Sequence, residues 1–189
     1  QKILAKKEWI RVIAKYKLQH ILRIFQKNTP YLEEFPTIVS SFITLDYPDG
    51  LLQYAKDLDK ESHHFVSKQT DAVLQDIISL QNLDLLSILL EKEIYHNMNH
   101  VISYAIKGNF FAGFLYILQK HISEISLRKC AAVCTKEKNV LFIKEIIHLL
   151  TQDDKDMCLG ISDPDDITMH IFLYVHGARF TTLYINHKT

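Results

Sequence analysis

Apolar residues recur at steps of three and four along most of this chain, the spacing of one buried helix face. Three stretches carry that pattern in the same order: Leu74–Leu90, Ile102–Leu118 and Ala131–Leu150. Each has a short apolar helix, a polar break ending in Asn82, Asn109 or Asn139, and a longer apolar helix. The breaks are 27 and 30 residues apart. A repeated helix pair cannot bury its apolar side alone and must stack on its neighbours. The pattern therefore predicts an all-α fold, a short solenoid of antiparallel helix pairs over residues 70–189. An N-terminal helical cap and an irregular connector precede it over residues 1–69. The expected core is Leu74, Ile77, Ile78, Leu85, Leu86, Leu89, Ile102, Ala105, Phe114, Leu115, Leu118, Val133, Ile143, Ile146, Ile147 and Leu150.

Outside the repeats the elements are less uniform. Lys7–Lys27 has helical spacing, either continuous or broken near Lys15–Lys17 into Lys7–Tyr16 and Leu18–Lys27. Thr37–Leu45 is β-branched and fits a short strand or a helix following Pro36. Tyr47-Pro48-Asp49-Gly50 carries turn chemistry, and a helix is expected from Leu51 to Leu58, with a polar connector over Asp57–Lys68. Thr70 or Asp71, Asn99, and Asp165 or Asp166 are candidate helix caps. Gly108 and Asn109 suit a left-handed turn. Ile167–Val175 and Arg179–Ile185 form a fourth helix pair or a hairpin, the helices being favoured.

Composition narrows the function classes. The 189 residues are 48% hydrophobic with only five Gly and four Pro, which excludes a disordered chain and disfavours a many-turned β fold. No apolar run approaches the length of a membrane span. Net charge is zero, so nothing pulls the whole chain toward nucleic acid, which is not an expected partner. The segment from Gln1 to Asn28 holds eight cations against Glu8 alone, a local charge of +7 (eight minus one). Three cysteines, Cys130, Cys134 and Cys158, lack framework spacing and point to free thiols in a reducing, cytoplasmic compartment.

The helix-pair grammar resembles the ankyrin repeat. Leu83-Asp84-Leu85-Leu86 with Ile88-Leu89-Leu90 is similar to the start and close of an ankyrin second helix. Ala105-Ile106-Lys107-Gly108-Asn109 is similar to a first-helix end and turn, and Asn139-Val140-Leu141-Phe142-Ile143-Lys144 with Ile146-Ile147 to another second helix. The Thr-Pro-Leu-His opening of that family is missing from every unit, and the period is uneven. Divergent arrays rich in Ile, Lys and Asn look like those in effectors of intracellular bacteria and in multigene-family proteins of large DNA viruses. The resemblance implies a docking surface for a protein partner, of host origin in such systems.

Candidate chemistry is thin. Glu93, His96 and His100 have helical ligand spacing but sit in a loop-like stretch, and His63-His64 lies in a polar connector. The acidic group Asp153, Asp154, Asp156, Asp163, Asp165 and Asp166 lacks the order of a calcium loop and reads as a solvated loop. Cys158 and His170 would form a nucleophile and base only if folding joined them. No enzyme, cofactor or metal site is expected. The expected function is a non-catalytic protein-interaction module whose contacts are Asn82, Asp84, Asn109, Phe110, Phe111, Lys138 and Asn139. The alternatives are an anionic-lipid surface formed by Lys6, Lys7, Arg11 and Lys15 of the basic N-terminal helix, or a helical part of a larger enzyme.

Overall fold

The computed structural model describes residues 2–21, 24, 35–57, 71–92, 95 and 97–179. Every regular element among them is a helix. The connector over 58–68, Thr70, Glu93, His96, His63, His64 and the stretch 180–187 lie outside the described residues. Two compact units divide the chain, residues 1–97 and 98–189.

The first unit contains α1 (Lys2–Lys15), α2 (Phe35–Thr44), α3 (Pro48–Asp57), α4 (Asp71–Ser79) and α5 (Leu83–Glu91). Residues 19–21 are also helical, so the chain breaks after Lys15 rather than continuing as one helix. The helices α1, α2 and α4 stack in that order, and α3 packs on α5. Their shared core is built from Ile10, Ile13, Ile38, Phe42, Leu51, Ile77, Leu85 and Leu89, all essentially inaccessible. Because α4 and α5 pack directly on α2 and α3, this unit runs past the boundary expected near residue 70.

The second unit contains α6 (Met98–Lys107), α7 (Phe111–His121), α8 (Leu127–Lys136), α9 (Val140–Ile146), α10 (Gln152–Ile161) and α11 (Ile167–Val175). Again the first helix of each pair packs on the next, α6 on α8 and α8 on α10. The second helices meet through Phe114 of α7 and Phe142 of α9, whose ring centroids are 4.8 Å apart, and through contacts of α9 with α11. Short 3-10 turns, Ile122–Glu124 and Ile147–Leu149, lead from one pair to the next. Each is followed by a buried aliphatic residue, Ile125 or Leu150, and a hydroxyl cap, Ser126 or Thr151.

One turn recurs within the pairs. Lys17, Asp46, Gln81, Asn109 and Lys138 are the non-glycine residues with left-handed backbone among those described, with φ between 49° and 56°. At four of them the next N–H reaches back over the helix end: Leu18 to Ile13, Tyr47 to Phe42, Phe110 to Ala105 and Asn139 to Cys134, at 2.7–3.0 Å. This six-to-one bond terminates the helix and turns the following residue toward the core. The equivalent positions are thus Gln81, Asn109 and Lys138, which are more evenly spaced than the three asparagines. In the middle pair the sequence register is therefore shifted by one, and Phe110 occupies the place of Asn82 and Asn139.

Several expectations change for identifiable reasons. Of the two readings of Thr37–Leu45 the helix holds: residues through Thr44 belong to α2, with Pro36 in its first turn. Tyr47-Pro48-Asp49-Gly50 is not the turn; Asp46 is, and Pro48 opens α3 where its missing N–H costs nothing. The segment Asp153–Asp156 is not a solvated loop but the start of α10, because Thr151 and Asp154 form a reciprocal capping box. Asp154 and Asp156 are buried there, and Asp156 accepts from the Arg179 backbone N–H and the Gln152 side chain, both at 2.7 Å. Of the expected core, only Leu115 and Val133 are merely half-buried.

Gly50 provides a test of sign. Its helical position would ordinarily gain about 1 kcal/mol on substitution by alanine. A Cβ there would overlap the Tyr47 ring, which packs over Gly50 from the preceding turn. Gly50→Ala is therefore expected to destabilise the protein by about 1–3 kcal/mol in urea unfolding.

Candidate functional site

The expected contact residues fall into two groups and one correction. Phe110 is 3% exposed, so it is a core residue and not a surface anchor. The left-handed turn at Asn109 forces it inward, as the six-to-one bond from its N–H requires. Phe111 is half-buried against Phe114 and Phe142, with its ring edge-on to Phe142 at 5.2 Å. Asn82 and Asp84 belong to the first unit, where the Asn82 side chain accepts from Leu85 N–H at 2.9 Å and caps α5. Asp84 is exposed.

The remaining residues come together in the second unit. Asn139 donates from Nδ2 to Asn109 Oδ1 at 3.4 Å, joining the turns of two successive pairs. Lys138 Nζ lies 2.7 Å from Asp163 Oδ2, joining the second of those turns to the Ser162–Asp166 turn of the third pair. The hydrogen bond and charge of Asp163 hold Lys138 protonated above the usual lysine range. Asp165 N–H donates to Asp163 Oδ1, and Asp166 caps α11 by accepting from Met169 N–H, both at 3.0 Å. The result is a row of three linked polar turns with Asn109 and Lys138 exposed.

Sequence reasoning missed two residues of this arrangement. Asp163 carries no signal beyond acidity, and its partner Lys138 belongs to the preceding helix pair. Asn99 is not a cap. It lies inside α6, and its side chain accepts from Ser126 N–H at 2.7 Å and donates to the Glu124 carbonyl at 3.3 Å. It thereby pins the connector of the next pair. Between pairs, Arg128 and Asp154 add an ion pair at 3.0 Å across α8 and α10.

The other candidates supply no assembled chemistry. No group of three or more His, Cys, Asp or Glu that could hold a metal exists among the described residues. Glu93 and His96 are outside them, and His100 is exposed. All three thiols are free and buried. Burial pushes the Cys158 thiol up to about 11, partly offset by a hydrogen bond with Thr135. A hydrogen bond with Cys130, then burial, holds the Cys134 thiol well above the ordinary range. Thiols held protonated in this way are weak nucleophiles at neutral pH. Of the lipid-facing candidates, Arg11 and Lys15 are exposed on α1, while the side chains of Lys6 and Lys7 lie outside those described. No described helix is long and apolar enough to cross a membrane.

Comparison with known proteins gives no match: no family model, no curated protein and no solved structure corresponds to this chain.

The thiols give a direct check. A maleimide or disulfide reagent should label none of the three at neutral pH in the native protein and all three after unfolding. Because Cys158 keeps its proton in the folded state up to about 11, against 9.0 ordinarily, its contribution to stability is whole below pH 9. It should fall as pH rises from 9 toward 11, readable as a declining urea midpoint.

Proposed function

We propose that this chain is a non-catalytic protein-interaction module, built as a short solenoid of helix pairs similar to an ankyrin-type array. The observation that carries the reading is the row of linked turns at Asn109, Lys138–Asn139 and Asp163. Helix pairs that stack first helix on first helix bring their turns to one edge. Side chains on such an edge contact a partner without disturbing the core. Phe111 sits at the base of this edge, half-buried, where a partner could complete its burial. Asp84 and Asn82 are the corresponding contacts in the first unit. The compositional likeness to arrays of intracellular pathogens and large DNA viruses extends the proposal to a host protein as partner, met in the cytoplasm.

Capture with the tagged chain from eukaryotic lysate, followed by titration of the captured protein, tests the proposal. The triple variant Asn109→Ala, Lys138→Glu, Asn139→Ala should weaken binding about tenfold or more while remaining folded at the assay temperature by circular dichroism, with a lowered thermal midpoint from the two left-handed positions and the lost Asp163 ion pair. Unchanged affinity in that variant would remove the turn edge as the docking surface. Phe110→Ala should behave differently, costing about 3–5 kcal/mol of stability because it empties a core position. The membrane-surface alternative is addressed by the vesicle arm of the next experiment.

A further inference from the structure

A second docking feature lies in the first unit, where α1 meets α2. The helix α1 buries Ile10, Ile13 and Ala14, and exposes Trp9, Val12 and Tyr16, the last three 54%, 38% and 61% accessible. Their spacing, three then four, makes one outward stripe along the helix. Beside it is a cleft of about 360 Å³, with Arg11, Val12 and Lys15 on one wall and Ser41, Thr44 and Leu45 on the other. The Thr44 hydroxyl donates to the Ser40 carbonyl of its own helix at 2.7 Å, so its proton is already committed and it can only accept from a ligand. The floor is mainly apolar and the rim is cationic.

Those cations are not used by the fold. Among the described residues neither Arg11 nor Lys15 forms an ion pair, and Lys15 Nζ only approaches the Tyr16 ring, at 5.5 Å. Two like charges one helical turn apart repel, so the fold retains them at a small cost. A surface pairing apolar stripe, apolar cleft and unneutralised positive rim is complementary to an amphipathic segment carrying acids beside its anchors. The volume lies at the low end of ligand pockets and suits a few aliphatic side chains, not the paired acyl chains of a phospholipid.

We infer that the α1–α2 groove binds an acidic amphipathic helix of a partner protein. Apolar side chains at i, i+3 or i+4, and i+7 fill the cleft and cover the Trp9–Val12–Tyr16 stripe. Asp or Glu residues flanking those anchors pair with Arg11 and Lys15. The proposal concerns a different surface from the turn edge and does not depend on it.

Trp9 is the chain's sole tryptophan, so its emission reports on this surface directly. The probe is a displayed library of helical peptides with apolar residues fixed at i, i+3, i+4 and i+7 and all others randomised, selected against the full chain. The inference predicts enrichment of Asp and Glu beside the anchors and a blue shift of Trp9 emission on binding. Added salt should weaken binding. Arg11→Glu with Lys15→Glu, and the milder Arg11→Gln with Lys15→Gln, should weaken it about tenfold or more, and Lys136→Glu should not. Circular dichroism verifies that each variant is folded. Selection of no peptide, of peptides without acidic bias, or of peptides that bind the neutralised variants equally would overturn the inference. So would a Trp9 blue shift produced only by phosphatidylserine vesicles and lost in the Arg11 and Lys15 variants, which assigns the surface to a membrane.

Discussion

The left-handed residue that ends the first helix of a pair is the constraint on which the remaining structure depends. It costs about 1 kcal/mol or more at a non-glycine position. In return, the next N–H bonds back to the last helical turn and the chain reverses at once. The second helix then starts beside the first, and the residue after the turn is drawn inward, as Tyr47 and Phe110 are. Stacking follows, because each pair leaves one apolar face uncovered. Thus α6 meets α8 and α8 meets α10, while Phe114 and Phe142 close the layer of second helices.

The same constraint arranges the surface. The two left-handed turns, stacked alike, bring Asn109 within 3.4 Å of Asn139, and the differently built Ser162–Asp166 turn of the next pair sets Asp163 within 2.7 Å of Lys138. The polar residues there are not leftovers of the break in hydrophobic pattern. They are a consequence of it, and they form the edge on which the proposed docking rests. At α1 the logic is reversed: one face is buried against α2, and the other keeps apolar and cationic groups that the fold leaves exposed.

Much of the fold was legible because helical periodicity is a strong signal. The buried faces of α4 to α9 are nearly those that three- and four-residue spacing marks. The turn was legible only approximately. Asparagine suggested its place, yet Gln81 and Lys138 adopt the left-handed conformation beside Asn82 and Asn139, and after Lys138 the six-to-one bond from Asn139 fixes the position whatever the side chain. That shift of one position concealed Phe110 as a core group and left both neighbouring phenylalanines among the candidate contacts. Pro48 and Gly50 misled in the opposite way: their turn chemistry is real, but here it serves a helix start and a close ring contact. Asn99 and the Arg128–Asp154 ion pair were beyond reach, because their partners lie across helix pairs and only stacking brings them near. The candidate edge was legible in its residues and not in its linkage through Asp163.

The most direct test of the account is a comparison of Asn109→Gly with Asn109→Val by equilibrium unfolding. Both variants lose the weak contact with Asn139, so their difference isolates the backbone. The account predicts that the valine variant is less stable than the glycine variant by about 1–2 kcal/mol, since a β-branched residue resists the left-handed conformation. Equal stability of the two would contradict the claim that this turn conformation organises the fold.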